Sequence, residues 1–177
     1  MQALARRDPG VVVVGGSAEA LPIRSAAVRA VWVSQVLHHV TDLSAAAAGL
    51  RRVLVPGGRV LVRGMYRDLA GQWPLVSFFP GILKVEVERF PPWSRIQDHL
   101  EGAGLRLTAW DRVEQTLAGG MAELDARTCH RADSGLALLP DEQFHEGLAR
   151  MRALAEAEGV PTPVSETLDF VVFASEA

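Results

Sequence analysis

Two apolar strands separated by one helical stretch confine what this chain can fold into. The run "AVRAVWV" (27–33) is apolar and rich in β-branched residues, and it stops where polarity begins at Ser34. Residues 42–54, "DLSAAAAGLRRVL", place Leu43, Ala46, Ala47, Leu50 and Leu54 at helical spacing. They halt at Pro56-Gly57-Gly58, which reads as a turn. "RVLVRGM" (59–65) then resumes as a strand. Strands alternating with helices predict an α/β fold on a largely parallel sheet.

The pattern extends in both directions. "VVVV" (11–14), stopped by Gly15 and Gly16, is predicted to be a buried strand. Its link to Ala30 is long enough for a parallel crossover, so pairing of 11–14 with 30–34 is expected. Ser94 is predicted to cap a helix "RIQDHLEGAG" with Ile96 and Leu100 on its apolar face and Gly104 at its stop. "LRLTAWDRVEQTL" (105–117) alternates as a strand. Residues 141–157 form the clearest helix, striped by Phe144, Leu148, Met151 and Leu154, and "TLDFVVFA" (167–174) closes the chain as a strand. Residues 66–93 are rich in aromatics and prolines, too irregular for one element, and read as a lid or a substrate-side insertion.

A length of 177 residues fits a single domain, 1–177, with a sizeable core. A net charge of −3 gives no sign of nucleic acid or of a polybasic membrane surface as partner. The one cysteine, Cys129, excludes an internal disulfide and fits a reducing cytoplasm, where it is expected to be structural. No stretch approaches 18 consecutive apolar residues. The expected setting is cytoplasmic.

In order, "GGSAEALP", "VWVSQVLHHV" and "LRRVLVPGGRVLV" resemble class I S-adenosylmethionine (SAM)-dependent methyltransferases, nearest the type 11 small-molecule group. "LEGAGLRL" and "DEQFHEGLARM" are similar to the C-terminal half of that family. The resemblance implies a truncated Rossmann-like methyltransferase fold, SAM as cofactor and a small organic acceptor. The family's opening glycine-rich turn, Asp/Glu-x-Gly-x-Gly, lets backbone approach SAM, and an acidic residue after its second strand holds the ribose. Neither has a counterpart here. "EGAG" at 101–104 follows a helix and precedes a strand, the reverse of the required context. The chain is thus expected to start at the family's third strand.

The resemblance assigns Ser17, Ala18, Ser34, Gln35 and His39 to the cofactor site. Ser17 stands where the family usually has an aspartate on the adenine amino group, and Arg29 replaces another aspartate before the fourth strand. His38 and His39 fall just past the C-terminal end of a parallel strand, where open α/β sheets bind ligands. They are candidates for packing, for cofactor contact or for general-base catalysis. No third ligand lies at metal-binding spacing, so no metal is expected. Tyr66, Trp73, Phe78, Phe79 and Trp93, with Phe90, either cover the sheet or line an apolar acceptor pocket. His99 and His145, on predicted helices beside charged residues, read as solvated faces.

Three functions fit. One is a SAM-dependent methyltransferase acting on a small acceptor, with SAM binding impaired or dependent on a partner chain. Another is a repurposed enzyme such as a cyclase. The third is a non-catalytic partner subunit. An apolar sheet edge beside 30–34 also predicts a homodimer.

Overall fold

The structure, a computed structural model, describes residues 12–64, 66 and 72–176. Four strands, β1 (Val28–Ser34), β2 (Leu54–Gly64), β3 (Leu105–Ala118) and β4 (Val164–Ser175), form one sheet in the order β1-β2-β4-β3. Among the described residues five α-helices accompany them: α1 (Leu43–Val53), α2 (Gly81–Arg89), α3 (Trp93–Gly102), α4 (Met121–Thr128) and α5 (Asp141–Ala157).

The predicted strand–helix–strand unit is present. Asp42 starts α1 by accepting the Ala45 amide at 2.9 Å. Leu43, Ala46, Ala47, Leu50 and Val53 are its buried stripe. β1 and β2 pair in parallel, as the intervening helix demands. The sheet as a whole corrects the expectation of a largely parallel one. β2–β4 and β3–β4 are antiparallel, because β4 returns between β2 and β3 after both C-terminal helices.

Three local expectations also change. Pro56-Gly57-Gly58 is not a turn ahead of a strand. Pairing begins at Val28–Leu54 and resumes at Ala30–Arg59, so these residues form an irregularity within β2, with Gly57 at φ +71°. Ser94 lies inside α3 rather than capping it; the cap position is Pro92, which offers no side-chain acceptor. Leu154 is 52% exposed, whereas Phe144, Leu148 and Met151 are buried as predicted. Gly104 does end its helix in the left-handed conformation, φ +82°.

The N-terminal strand is the largest correction. Residues 12–14 belong to no strand, Val12 and Val14 are exposed, and none of them pairs with 30–34; Val11 lies outside the described residues. The cause is the segment that follows. Arg52 on α1 donates to the carbonyls of Leu21 and Ile23 at 2.8 and 2.6 Å, which keeps residues 21–23 on the helix layer and away from the sheet edge.

Two cores result. On one sheet face Val60, Val62, Val171 and Phe173 pack against Leu50 of α1 and Trp93, Ile96 and Leu100 of α3. A second core joins Leu75, Phe79 and Ile82 to Leu124 of α4, to Leu136 and Leu139, and to Phe144, Leu148 and Met151 of α5. Gly147 permits this packing, since a side chain there would meet the Phe79 ring. Trp32, Leu61 and Val172, in register on the face opposite the first core, mark sheet surface on which Trp32 remains 56% exposed. Among the described residues no helix is long and apolar enough to cross a membrane.

Candidate functional site

A cavity of about 560 Å³ opens beyond the C-terminal end of β1. One wall is Gln35, His38 and His39; the floor is Leu117 and Glu166 of the sheet. Trp73, Leu75, Glu86 and Phe90 also line the cavity, and α4 with the following loop contributes Leu124, Arg127, Asp133 and Leu136. The volume suits a small organic molecule.

The turn out of β1 sets the first wall. Gln35 adopts φ +51°, and its amide donates to the Arg63 carbonyl at 2.9 Å. A single 3₁₀ turn, Leu37–His39, then sets the two imidazoles at 48° to each other with centroids 4.0 Å apart. The His38 ring also packs against Phe90 at 4.4 Å. Burial pushes the His38 imidazole down to about 4, and the neighbouring charges of His39 and Arg89 add to that. At neutral pH it is therefore uncharged and a weak base.

Two buried carboxyls face the cavity, and neither was singled out in the sequence. Glu86 on α2 lies 3.1 Å from the Arg89 guanidinium, which also donates to Ser134 at 2.9 Å. Burial nevertheless raises its carboxyl to about 7, opposed by Arg89 and reinforced by Asp133. Glu166 on β4 accepts from the Gln115 amide, Gln115 accepts from Arg63, and Arg63 donates to the Ser34 hydroxyl at 3.0 Å. A polar chain thus crosses all four strands and ends at Glu166, whose carboxyl burial also raises. Asp133 caps the loop, accepting from the amides of Gly135 and Leu136 at 2.8 and 3.2 Å. An acidic residue on a strand or in a "VEVER" helix carries no local signature; only the topology brings Glu86 and Glu166 to one cavity.

The predicted site residues divide among different places. Gln35, His38, His39 and Trp73 line the cavity. Tyr66 lines a smaller hollow with Gln35 and His38, and its hydroxyl is buried without a hydrogen-bond partner. Burial raises that phenol further above its ordinary range. Phe78 and Phe79 lie in the second core, and Trp93 lies in the first, 4.8 Å from the rings of both Tyr66 and Trp110. His99 is half-buried on α3 and His145 is exposed on α5. Cys129 packs against the second core. No group of His, Cys, Asp and Glu suited to a metal ion occurs among the described residues.

The residues expected to hold SAM fit it poorly. The Ser17 hydroxyl donates to Glu19, whose other oxygen accepts the Thr41 amide at 3.0 Å. The Ser17 hydroxyl is the first cause, and backbone amides the next, of a Glu19 carboxyl held down at about 2. Ala18 is half-buried on the turn between Ser17 and Ala20. The Ser34 hydroxyl is taken by Arg63. Of the expected set, Gln35 and His39 alone face the cavity.

Comparison with known proteins agrees with this architecture. The family described as "Methyltransferase domain" matches residues 1–62. No curated protein matches the chain. Among solved structures, a protein of Anabaena variabilis, assigned as a methyltransferase from an antibiotic biosynthesis pathway, shares 19% identity at a TM-score of 0.67, covering 95% of this chain and 74% of its own. A Bacillus halodurans protein assigned as a methyltransferase has 14% identity and a TM-score of 0.57, covering 94% and 78%. The [4+2]-cyclase SpnF has 17% identity and a TM-score of 0.54, over 92% of this chain and 56% of the cyclase. The chain thus spans only part of each of these proteins. The methyltransferase-domain match covers the first third of the chain, and over most of its length the chain shares the Rossmann-like α/β fold of these proteins.

Proposed function

We propose that this chain binds a small organic molecule in the cavity beyond β1, as the acceptor-binding part of a SAM-dependent methyltransferase acting in the cytoplasm. The observation that carries it is the position of that cavity. It lies at the strand end where open α/β sheets bind ligands, with an apolar wall and a few buried polar groups. SAM is the cofactor this family implies, and the described residues supply little of its site, so SAM binding depends on a partner chain or is impaired. The chain's own contribution is to bind and orient the acceptor and to exclude water. Trp73, Leu75, Phe90 and Leu136 provide the apolar surface, while Glu86 and Glu166 fix orientation. His38, uncharged at neutral pH, packs at the entrance instead of acting as a strong base.

A cyclase reading has one observation of its own: the fold is shared with SpnF, a [4+2]-cyclase. Cyclisation needs an acceptor-sized cavity and no methyl donor. The experiment is ligand titration of the chain with and without SAM, read by fluorescence of the cavity residue Trp73. Small organic ligands that saturate without SAM support an acceptor site. Failure of any to bind, together with tight SAM binding, would overturn the reading.

A further inference from the structure

We propose that the cavity selects a ligand with an apolar body and a protonated amine, and that Glu166 is the residue that recognises the amine. This rests on the cavity being the ligand site. Three carboxylic side chains reach the cavity from three separate elements, Glu86 from α2, Asp133 from the loop after α4 and Glu166 from β4, against one cationic side chain, Arg127. The Arg127 guanidinium gives one of its N–H groups to the Leu117 carbonyl. Asp133 is committed to loop amides and Glu86 to Arg89. Glu166 differs, because its hydrogen-bond partner is the neutral amide of Gln115, with Arg63 and Arg127 acting on its carboxyl only through space. A buried carboxylate facing a neutral amide gains most from a cation that enters beside it.

The chemistry disfavours the other charge types. An anionic ligand would add to an acidic wall in which three carboxylic side chains face the single Arg127 guanidinium. A neutral alcohol would leave Glu86 and Glu166 with the desolvation that already favours their protonated forms. A cationic amine stabilises both carboxylates, so its binding expels protons. Gln115 and Arg63 act as positioning residues, holding the Glu166 carboxyl against the floor.

The test uses the whole 177-residue chain and three probes of one shape: phenethylamine, 2-phenylethanol and 3-phenylpropionate. Calorimetry at pH 6.5 in two buffers of different ionisation heat counts protons released. The expected result is phenethylamine binding about tenfold tighter than the alcohol, no saturation by the acid, and proton release with the amine alone. Glu166→Gln should reduce the preference to under about threefold, and Gln115→Leu should weaken it in the same direction. If the three probes bind alike, the amine inference fails while the cavity remains a ligand site. If none binds, both fail. An amine preference that persists in a folded Glu166→Gln chain overturns the role of Glu166. Should that variant not fold, the probe series and proton count on the unaltered chain still decide.

Discussion

The Glu86 carboxylate occupies the space in which Gly135 would carry a side chain. A Cβ built on Gly135 collides with Glu86 Oε1. The missing side chain is what lets α2 press its acid against the loop that follows α4, where Arg89 and Ser134 secure it.

Gly135→Ala therefore should displace the Glu86 side chain while leaving the fold nearly intact. Gly135 has φ −76°, open to any residue, and the displaced atom ends a flexible chain. The expected stability loss is under about 1 kcal/mol, with a clear change in probe binding. Gly147→Ala is the contrasting case. Its Cβ would strike the Phe79 ring and lie 2.9 Å from the Phe78 carbonyl. A cost of about 1–3 kcal/mol is expected, as in overpacked cores. Thermal melts of both variants check the pair; equal losses would contradict the assignment.

Much of the fold was legible because local pattern and burial coincide. The spacing of Leu43, Ala46, Ala47 and Leu50 fixed α1, and the apolar run 27–33 fixed β1. "VVVV" failed because hydrophobicity marks a strand only when a partner edge is reachable, and Arg52 holds the following segment on the helix layer. The parallel sheet failed for a similar reason, since strand direction depends on where β4 inserts. His38, His39 and Gln35, marked by the resemblance, and Trp73, marked by the aromatic pattern, line the cavity. Glu86 and Glu166 carried no such mark, because 80 residues and a whole helical layer separate them in sequence.

Cofactor affinity is the sharpest test of the family role. The sequence holds no Asp/Glu-x-Gly-x-Gly string, and the Ser17 hydroxyl is already given to Glu19. A micromolar SAM site corresponds to about −8 kcal/mol. Each lost charge-assisted hydrogen bond removes about 1.5–3 kcal/mol. The isolated chain should bind SAM near millimolar or worse in titration calorimetry. Low-micromolar binding would show that other residues supply the contacts.

Self-association is the next expectation. Among the described residues β1 pairs on one side only, with β2, and Trp32 beside it is 56% exposed against Phe170 at 5.6 Å. Such an edge and face invite a second copy of the chain. Light scattering should report a dimer at micromolar concentration, and Trp32→Ser should shift it toward monomer without altering probe binding. A monomer at all concentrations would refute the dimer.

Stability against pH should reveal two groups, the buried Glu86 and the half-buried His38, that oppose each other. The Glu86 carboxyl, ordinarily near 4.5, is raised to about 7, so the folded chain holds its proton more tightly than the unfolded chain between those values. Stability conferred by that protonated form is present below pH 4.5 and is lost as pH rises toward 7. The His38 imidazole, ordinarily near 6.5, is lowered to about 4, so here the unfolded chain holds the proton more tightly. Its contribution grows as pH rises from 4 to 6.5. The two windows overlap and the displacements are alike in span, so these contributions should nearly cancel between pH 4.5 and 6.5. Single substitutions separate them. Relative to the unaltered chain, Glu86→Gln should turn the pH slope of the denaturant midpoint upward across that range, since His38 is then opposed by Glu166 alone. His38→Asn should leave one whose midpoint falls, through Glu86, with Glu166 adding in the same direction because its carboxyl is also raised. Urea titrations at half-unit pH steps measure both slopes, and a substitution that leaves the slope of the unaltered chain unchanged would show that its group is not shifted by the fold.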